Sequence, residues 1–540
     1  MRFRAVEFDL VRLLPVLQED VLPGWGALPW GALTQAAQLL EATDQLHYSD
    51  LGYVDESHMP WPPYVAQSLD LSRSLTLTAD ALGGSFSIGN LELNNPSGVL
   101  DRVFLQDTID HLPMRILQGQ KIQDPTRGVF SDPPRSALVP LFSGYGRNWQ
   151  PGYENASVAL LDQTEALTQE MPMGTFGGTG GLDGDSSVAG RLRPRLRGAA
   201  CNITPVLIDS TNYVYQVSDA PADILSLYEG GYTGWITSAG EVADLYASAP
   251  DPGTYVIQRM ASGTWIRLGT KPVYAITLDV FGHFPSGAAP TGLGAILQQM
   301  LLEDCAQTAL TFDTGWDTPS LACAGGWFWD GSSSVTGKSV VSTLLSGLAV
   351  SLVSTRNGAL RLVPLVPPTS SQAPALHLTP DLVTEISSIA LDTTLDPPTW
   401  RWRIGWQHNF TVQSSGSALH PRISSAREAL VTQANRQASW VDMSVKSSWR
   451  TPSDPDVVVT ALANEADATT LATLHGALWG RQRKLWAVTL PQEIALQIEL
   501  GDAVTFLAPV PGARVQAVPA IVIGEHLQSG ETTTTLTLLV

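Results

Sequence analysis

The chain has 540 residues, 44% hydrophobic and 15% charged, with a formal net charge of −20. At roughly 100–200 residues per domain this is material for about three to five domains with real cores, and it excludes a disordered chain. So acidic a chain has little positive charge with which to displace counterions from DNA, which excludes ordinary nucleic-acid binding and leaves solubility as the first role of the charge.

The 47 glycines and 37 prolines are spread along the chain, as expected for many short strands joined by tight turns. Val6, Phe8 and Leu10 alternate with Glu7 and Asp9 and predict a first strand. A Pro/Gly/Trp-rich stretch, Leu22 to Trp30, a short helix predicted over Thr34 to Glu41, and a loop over 47–66 complete an N-terminal extension, 1–65. Leu69, Leu71, Leu75 and Leu77 share one face of the next strand, on which Arg73 is the exception. Ile88, Leu91 and Leu93 follow, with a change of parity near Gly89 that suits a bulge. The turn Asn94-Asn95-Pro96-Ser97-Gly98 and further short strands complete a first β-barrel-like domain, 66–142.

Residues 143–194 form a loop-rich connector, whose glycine-rich part, 174–190, predicts an exposed, mobile loop. Strands at Tyr213–Val217, Tyr255–Arg259 and Trp265–Leu268 predict a β domain, 195–280. A small α/β domain, 281–368, follows. It has a helix over Thr291–Ala309 (Leu293, Ile296, Leu297, Met300 and Leu301 on one face), a second helix over Ser339–Val350, and a hairpin at Thr355-Arg356-Asn357-Gly358. A linker, 369–398, leads to a second barrel-like domain with attached helices, 399–540. Trp400, Trp402, Ile404, Trp406, Phe410 and Val412 make one apolar face broken by His408. Ser425 and Glu428 suit a capping box. Leu471, Leu474 and Leu478 line a helix that ends in Arg481, Arg483 and Lys484. Trp486, Val488 and Leu490 alternate, as do Ile494, Leu496, Ile498 and Leu500; turns follow at Gly501-Asp502 and Gly530. The fold class is therefore mainly β with α+β parts: several β-barrel or sandwich domains plus a small α/β domain.

The sequence nominates no catalytic, cofactor-binding or metal-ligating residue, and the expectation is a protein that is not an enzyme. Gly331 to Ser339 places five residues between glycine and Gly-Lys where a phosphate loop needs four, and Thr336 reads better as a helix cap. Asp183 and Asp185 resemble the start of a calcium loop whose later ligands are missing. The nine histidines show no metal-binding spacing, and no Gly-x-Ser-x-Gly elbow occurs. Cys201, Cys305 and Cys323 are too few and scattered for a disulfide framework, although a Cys–His pair formed in space stays open. No run approaches the roughly 18 apolar residues of a membrane span. Met1-Arg2-Phe3-Arg4 is followed by Glu7 and Asp9, which predicts no signal peptide.

Four segments carry a resemblance. Ser68 to Gly119 runs strand, Gly-Gly, strand, Leu91 to Asp101, then a strand ending Leu117-Gln118-Gly119. The second combines Arg191-Leu192-Arg193-Pro194, Gly198, Asn202-Ile203-Thr204-Pro205 and Tyr213 to Val217. The third is Ile404 to Val412 and the fourth Ile498 to Val504. In this order they resemble the tail-tip (baseplate) hub proteins of long-tailed, siphovirus-like phages. The resemblance implies a homotrimer whose paired barrel-like domains imitate a six-fold ring and adapt the tail tube to a three-fold tip. It implies a virion location at the tail tip after assembly in the host cytoplasm. Its partners would be a distal tail or tail tube protein, a tape-measure protein and other baseplate, tip or fibre proteins, with DNA passing through unbound. Some such hubs hold an iron–sulfur cluster through four cysteines; with three distant ones here, no cofactor is carried over. Two other readings stay open: a glycan-binding receptor-recognition protein and a cell-wall hydrolase.

Overall fold

The computed structural model describes the chain except residues 14–40, 79–81, 83, 85, 124, 125, 127, 148, 314, 317, 319, 320 and 417. The stretch Leu22 to Trp30 and residues 34–40 of the helix predicted over Thr34 to Glu41 lie outside the described residues, and Glu41 itself opens a strand.

The longer strands up to residue 161 are β1 (Arg2–Leu13), β2 (Glu41–Ser49), β3 (Val65–Gln67), β4 (Leu71–Ser74), β5 (Asn90–Asn94), β6 (Leu112–Gln120), β7 (Val139–Gly146) and β8 (Asn155–Leu161). All but β4 form one antiparallel sheet in the order β2-β1-β6-β7-β8-β5-β3. Val6, Phe8 and Leu10 of β1 face its main core, and Phe3 and Ala5 face a second one with Tyr53, Trp61, Leu117 and Leu138. Residues 2–13 and 41–49 are thus integral to this sheet, and its strands cross the expected boundaries at 65 and 142. Residues 47–49 are strand where a loop was expected: alternation in β2 is masked by polar residues on its outer face. A short helix, α1 (Asp101–Gln106), follows the turn at Pro96–Gly98.

The glycine-rich segment is anchored, contrary to expectation. Phe176 and Val188 are buried with Ile208, Leu245 and Trp265. The Asp183 carboxylate accepts from the Gly177 amide (3.0 Å), the Thr179 hydroxyl (2.9 Å) and Arg193 (2.7 Å). One acidic side chain and two buried side chains outweigh the freedom of the glycines.

Two sheets follow. β9 (Arg195–Ile203), β10 (Val206–Asp209), β11 (Val214–Ser218), β12 (Ala222–Glu229), β13 (Thr237–Glu241), β14 (Thr254–Met260), β15 (Gly263–Leu268), β16 (Ile276–Gly282) and β17 (Gly326–Trp329) are arranged as β12-β16-β9-β17 and β10-β11-β15-β14-β13. They enclose a shared core that includes Leu196, Ile203, Val217, Ile266, Leu278 and Phe328. α2 (Leu293–Gln299) runs into a π-helical turn, Met300–Asp304, and buries the predicted apolar face. α3 (Gly337–Leu345) starts at Thr336, whose hydroxyl accepts from the Ser339 amide (3.3 Å) as an N-cap should. The hairpin β18 (Val350–Ser354) and β19 (Leu360–Pro364) turns through Gly358 at φ +79°, a conformation that favours glycine.

The expected linker contributes β20 (Leu376–Leu378) and β21 (Glu385–Ile389), edge strands too short and polar to show a period. β22 (Arg401–Trp406), β23 (Arg436–Val441) and β24 (Val458–Val459) form a small sheet. Trp402, Ile404 and Trp406 are buried, but Gln407 turns to φ +47° and ends the predicted face, leaving Val412 exposed. α4 (Ser425–Val431) is capped by Ser424, one residue before the expected cap. α5 (Met443–Ser448) is short. α6 (Glu465–Trp479) is closed by Arg483, which donates to the carbonyls of Leu478 (2.8 Å) and Ala477 (2.9 Å). The last sheet is β20-β26-β27-β28-β25-β21, with β25 (Leu485–Pro491), β26 (Ala503–Phe506), β27 (Val518–Leu527) and β28 (Thr533–Leu539). Ile494 belongs to a helical turn, α7 (Gln492–Ala495), where a strand was expected: four apolar residues two apart do not distinguish a strand from a helix turn and its exit.

β4 joins this last sheet. The first half of β27 pairs with β26 and the second half with β4, so a strand from near the start of the chain continues the edge where β26 stops. The fold is mainly β, with curled sheets packed on one another and helices filling the seams.

Candidate functional site

Two clusters gather buried charges of both signs. Arg73, the exception on its apolar face, is 2% exposed and points inward with its leucine neighbours. Its Nε donates to Glu525 (2.7 Å) and its Nη2 to Glu499 (2.6 Å). Arg356, next to the hairpin turn, bonds the other oxygen of Glu525 and lies 3.2 Å from Glu499. Two guanidinium groups thus balance two carboxylates. Burial alone would raise the Glu525 carboxyl, but Arg73 and Arg356 outweigh it and hold Glu525 below the usual carboxylate range.

The second cluster has the same stoichiometry. Arg197 grips Asp304 with Nε (2.9 Å) and Nη2 (2.7 Å) and reaches Asp219 (3.2 Å). Arg195 bonds Asp219 (2.6 Å) and lies 3.4 Å from Asp304. Burial lowers Arg197, but Asp304 and Asp219 more than offset it and keep the guanidinium charged. Both clusters tie distant segments together and pair each of their carboxylates with a guanidinium, although burial still raises the Asp304 carboxyl above its ordinary range.

An amide pair makes a third tie. Asn202, held at φ +55°, donates through Nδ2 to Asn409 Oδ1 (2.8 Å) and to the Thr411 carbonyl (2.7 Å). Asn409 in turn donates to the carbonyls of Val431 and Gln433, both at 2.9 Å.

The motifs weighed in the sequence do not converge. Gly331 to Ser339 leads into the capped start of α3. Asp183 and Asp185 serve local turns, and no group of three potential metal ligands occurs among the described residues. Burial pushes the thiols of Cys201, Cys305 and Cys323 up to about 12, which keeps them protonated and poor nucleophiles. Both ring nitrogens of His283 are engaged: Nδ1 accepts from the Ala289 amide (3.2 Å) and Nε2 meets Asp223 (2.9 Å). His475 is fully buried, stacks on Trp402 at 4.6 Å and bonds the Gly347 carbonyl (2.8 Å); burial lowers its pKa.

A groove of about 1170 Å³ opens between the sheet of β9, β12, β16 and β17, helix α3, and the chain around 407–411 and 459–463. Sequence reasoning missed it because its walls come from many separate stretches of the chain. The local hint of the first buried cluster was Arg73 on an apolar strand face; the second cluster had no such hint in the sequence reading.

The fold and these sites define a β-rich, multi-sheet protein bound together by buried polar ties. No family model matches the chain, and no curated protein matches it in sequence. Among solved structures it is similar to the 43 kDa tail protein of prophage MuSo2 from Shewanella oneidensis, with 10% identity, 89% of this chain and 96% of that chain covered, and a TM-score of 0.38. It is similar to the tail protein from Neisseria meningitidis MC58, with 10% identity, 88% and 92% covered, and a TM-score of 0.35. It is also similar to a chain of the virion of a native gene transfer agent particle, with 12% identity, 65% and 84% covered, and a TM-score of 0.37.

Proposed function

We propose that this chain is a structural protein of a phage tail, acting as the hub of the tail tip or baseplate. In this reading it is a homotrimer that adapts a six-fold tail tube to a three-fold tip, lines or closes the DNA channel, and anchors tip or fibre proteins for host attachment and genome ejection. Its neighbours are a distal tail or tail tube protein and a tape-measure protein. The observation that carries the reading is how the four hub-like segments meet. Arg73 of the first bonds Glu499 of the fourth, and Asn202 of the second bonds Asn409 of the third. Segments resembling one family thus form the joints of one framework, and those joints are built for rigidity.

The test is mass. Native mass spectrometry or light scattering of the purified protein is expected to give three times the 57.8 kDa chain mass, and tails containing it should hold three copies of the chain. A species that stays monomeric within purified particles overturns the hub. The net charge of −20 adds an expectation of a negative channel wall, past which DNA slides without binding. A neutral or basic channel in an image of the assembled tip overturns that part.

A second reading, glycan recognition, is favoured by one observation. His420 stacks on Tyr232 at 4.7 Å, with Tyr274 and Trp235 at 5.5 and 5.9 Å, and Trp235 is 53% exposed. Quenching of tryptophan fluorescence by host-surface polysaccharide, lost in Trp235→Ala, is its test.

A further inference from the structure

We propose that the groove beside β17 receives an extended, uncharged stretch of a partner polypeptide, which adds to the β17 edge as a further strand. The inference goes beyond the hub reading and does not depend on it.

The argument begins with backbone groups. β9 and β17 pair antiparallel, with Gly198 opposite Gly326 and Leu196 opposite Phe328. The Ala199 amide donates to the Gly325 carbonyl on the β9 side, whereas the Gly326 amide turns away and reaches the Ala461 carbonyl (3.4 Å). Antiparallel pairing alternates inward and outward groups residue by residue. Trp327 therefore faces β9, and the N–H and C=O of Phe328 face the groove. At Gly325 the edge still touches Leu462 through a single bridge; beyond it the two chains part and the groove opens. The facing strand, β24, offers no matching vacancy, because the Val459 carbonyl already accepts from the Ser346 hydroxyl (3.0 Å). Among the described residues β17 ends its sheet with no strand beyond it, and an unpaired strand edge is a template for another strand.

The walls decide the chemistry of the occupant. Charged groups lining the groove are already matched. Arg191 donates to the Asp330 carbonyl (2.8 Å) and lies 3.8 Å from its carboxylate. Asp279 accepts from the Tyr228 hydroxyl (2.7 Å) and the Asn202 amide (2.8 Å), with Arg427 at 3.6 Å. A charged side chain entering here would lose water and gain no counter-ion. The apolar walls include Leu207 (40% exposed), Leu225 (64% exposed) and Val459 (44% exposed). They suit apolar side chains at every second position of the incoming strand.

A random seven-residue peptide library is the probe, selected on the full chain and counter-selected on Ser342→Trp. Ser342 lies on the groove side of α3, and tryptophan there fills the space. Leu225→Glu is the second variant, at a position exposed enough to leave folding intact. The expected result is a set of peptides that lack charge and repeat apolar residues with period two. Each variant should weaken them at least tenfold, and their binding should slow exchange of the Phe328 amide proton at least tenfold. Peptides that are charged or helical in pattern, peptides that bind both variants as well as the parent, an unchanged Phe328 amide, or a selection that yields no binder each overturn the proposal. Because none of these readouts depends on oligomeric mass, failure here is distinguishable from failure of the hub reading.

Discussion

Arg73 and Glu525 stand opposite one another across the β4–β27 pair, their side chains 2.7 Å apart although 452 residues separate them in sequence. This contact stitches the early part of the chain into its last sheet. Arg356 and Glu499 add a second balanced pair, so that Arg356 also bonds Glu525 and Arg73 also bonds Glu499.

Removing one member should therefore cost more than removing a pair. Arg73→Met leaves Glu525 and Glu499 with a single guanidinium, and should destabilise the protein by about 3–5 kcal/mol. Arg73→Met with Glu525→Met leaves Arg356 and Glu499 balanced, and should cost less than the sum of the single changes. Denaturant titration of the four proteins checks both expectations; strict additivity would refute the coupling.

Acid should act on the protein in two separable windows. The folded His475 pKa lies below its unfolded value, so its contribution is complete above about pH 6.5 and is lost as pH falls toward the folded value. The folded Glu525 pKa is likewise lowered, so its contribution is complete above about pH 4.3 and is lost as pH falls through the folded value. Stability measured from pH 8 to 3 should decline in both windows, and Glu525→Gln should flatten only the lower one.

Asp183 should control the order of the glycine-rich segment. Its carboxylate gathers the Gly177 amide, the Thr179 hydroxyl and Arg193. Asp183→Ala is expected to open residues 177–190 to limited proteolysis, with cleavage mapped by mass spectrometry, while the parent resists cutting there.

The three thiols should be silent in the native protein. With pKa values raised to about 12 from 9.0, they hold on the order of a thousandfold less thiolate at pH 8. Iodoacetamide should modify Cys201, Cys305 and Cys323 slowly in buffer and completely in urea, as read by peptide mass.

The Asn202–Asn409 joint should be sensitive to truncation. Asn409→Ala removes the acceptor of Asn202 and the donor to two carbonyls, at a cost of about 1–3 kcal/mol or more. Asn409→Asp keeps the acceptor but sets a carboxylate oxygen against the Val431 and Gln433 carbonyls, so it should melt no higher than the alanine variant.

What the sequence determined by itself is the local grammar. Alternation in β1, β22 and β25, the Thr336 cap of α3, the hairpin turn at Gly358 and the basic end of α6 were legible because each depends on residues a few positions apart. The fold class followed, since many short alternating runs separated by turns leave few alternatives. Only the tertiary structure decided where Arg73 finds its carboxylates, that β4 extends the last sheet, that 174–190 is anchored, and that Phe328 faces a groove. The physical reason is that local pattern reports which face of an element is buried but not what is buried against it. An arginine on an apolar face is an anomaly in sequence, and becomes a joint only when folding brings Glu499 and Glu525 to it.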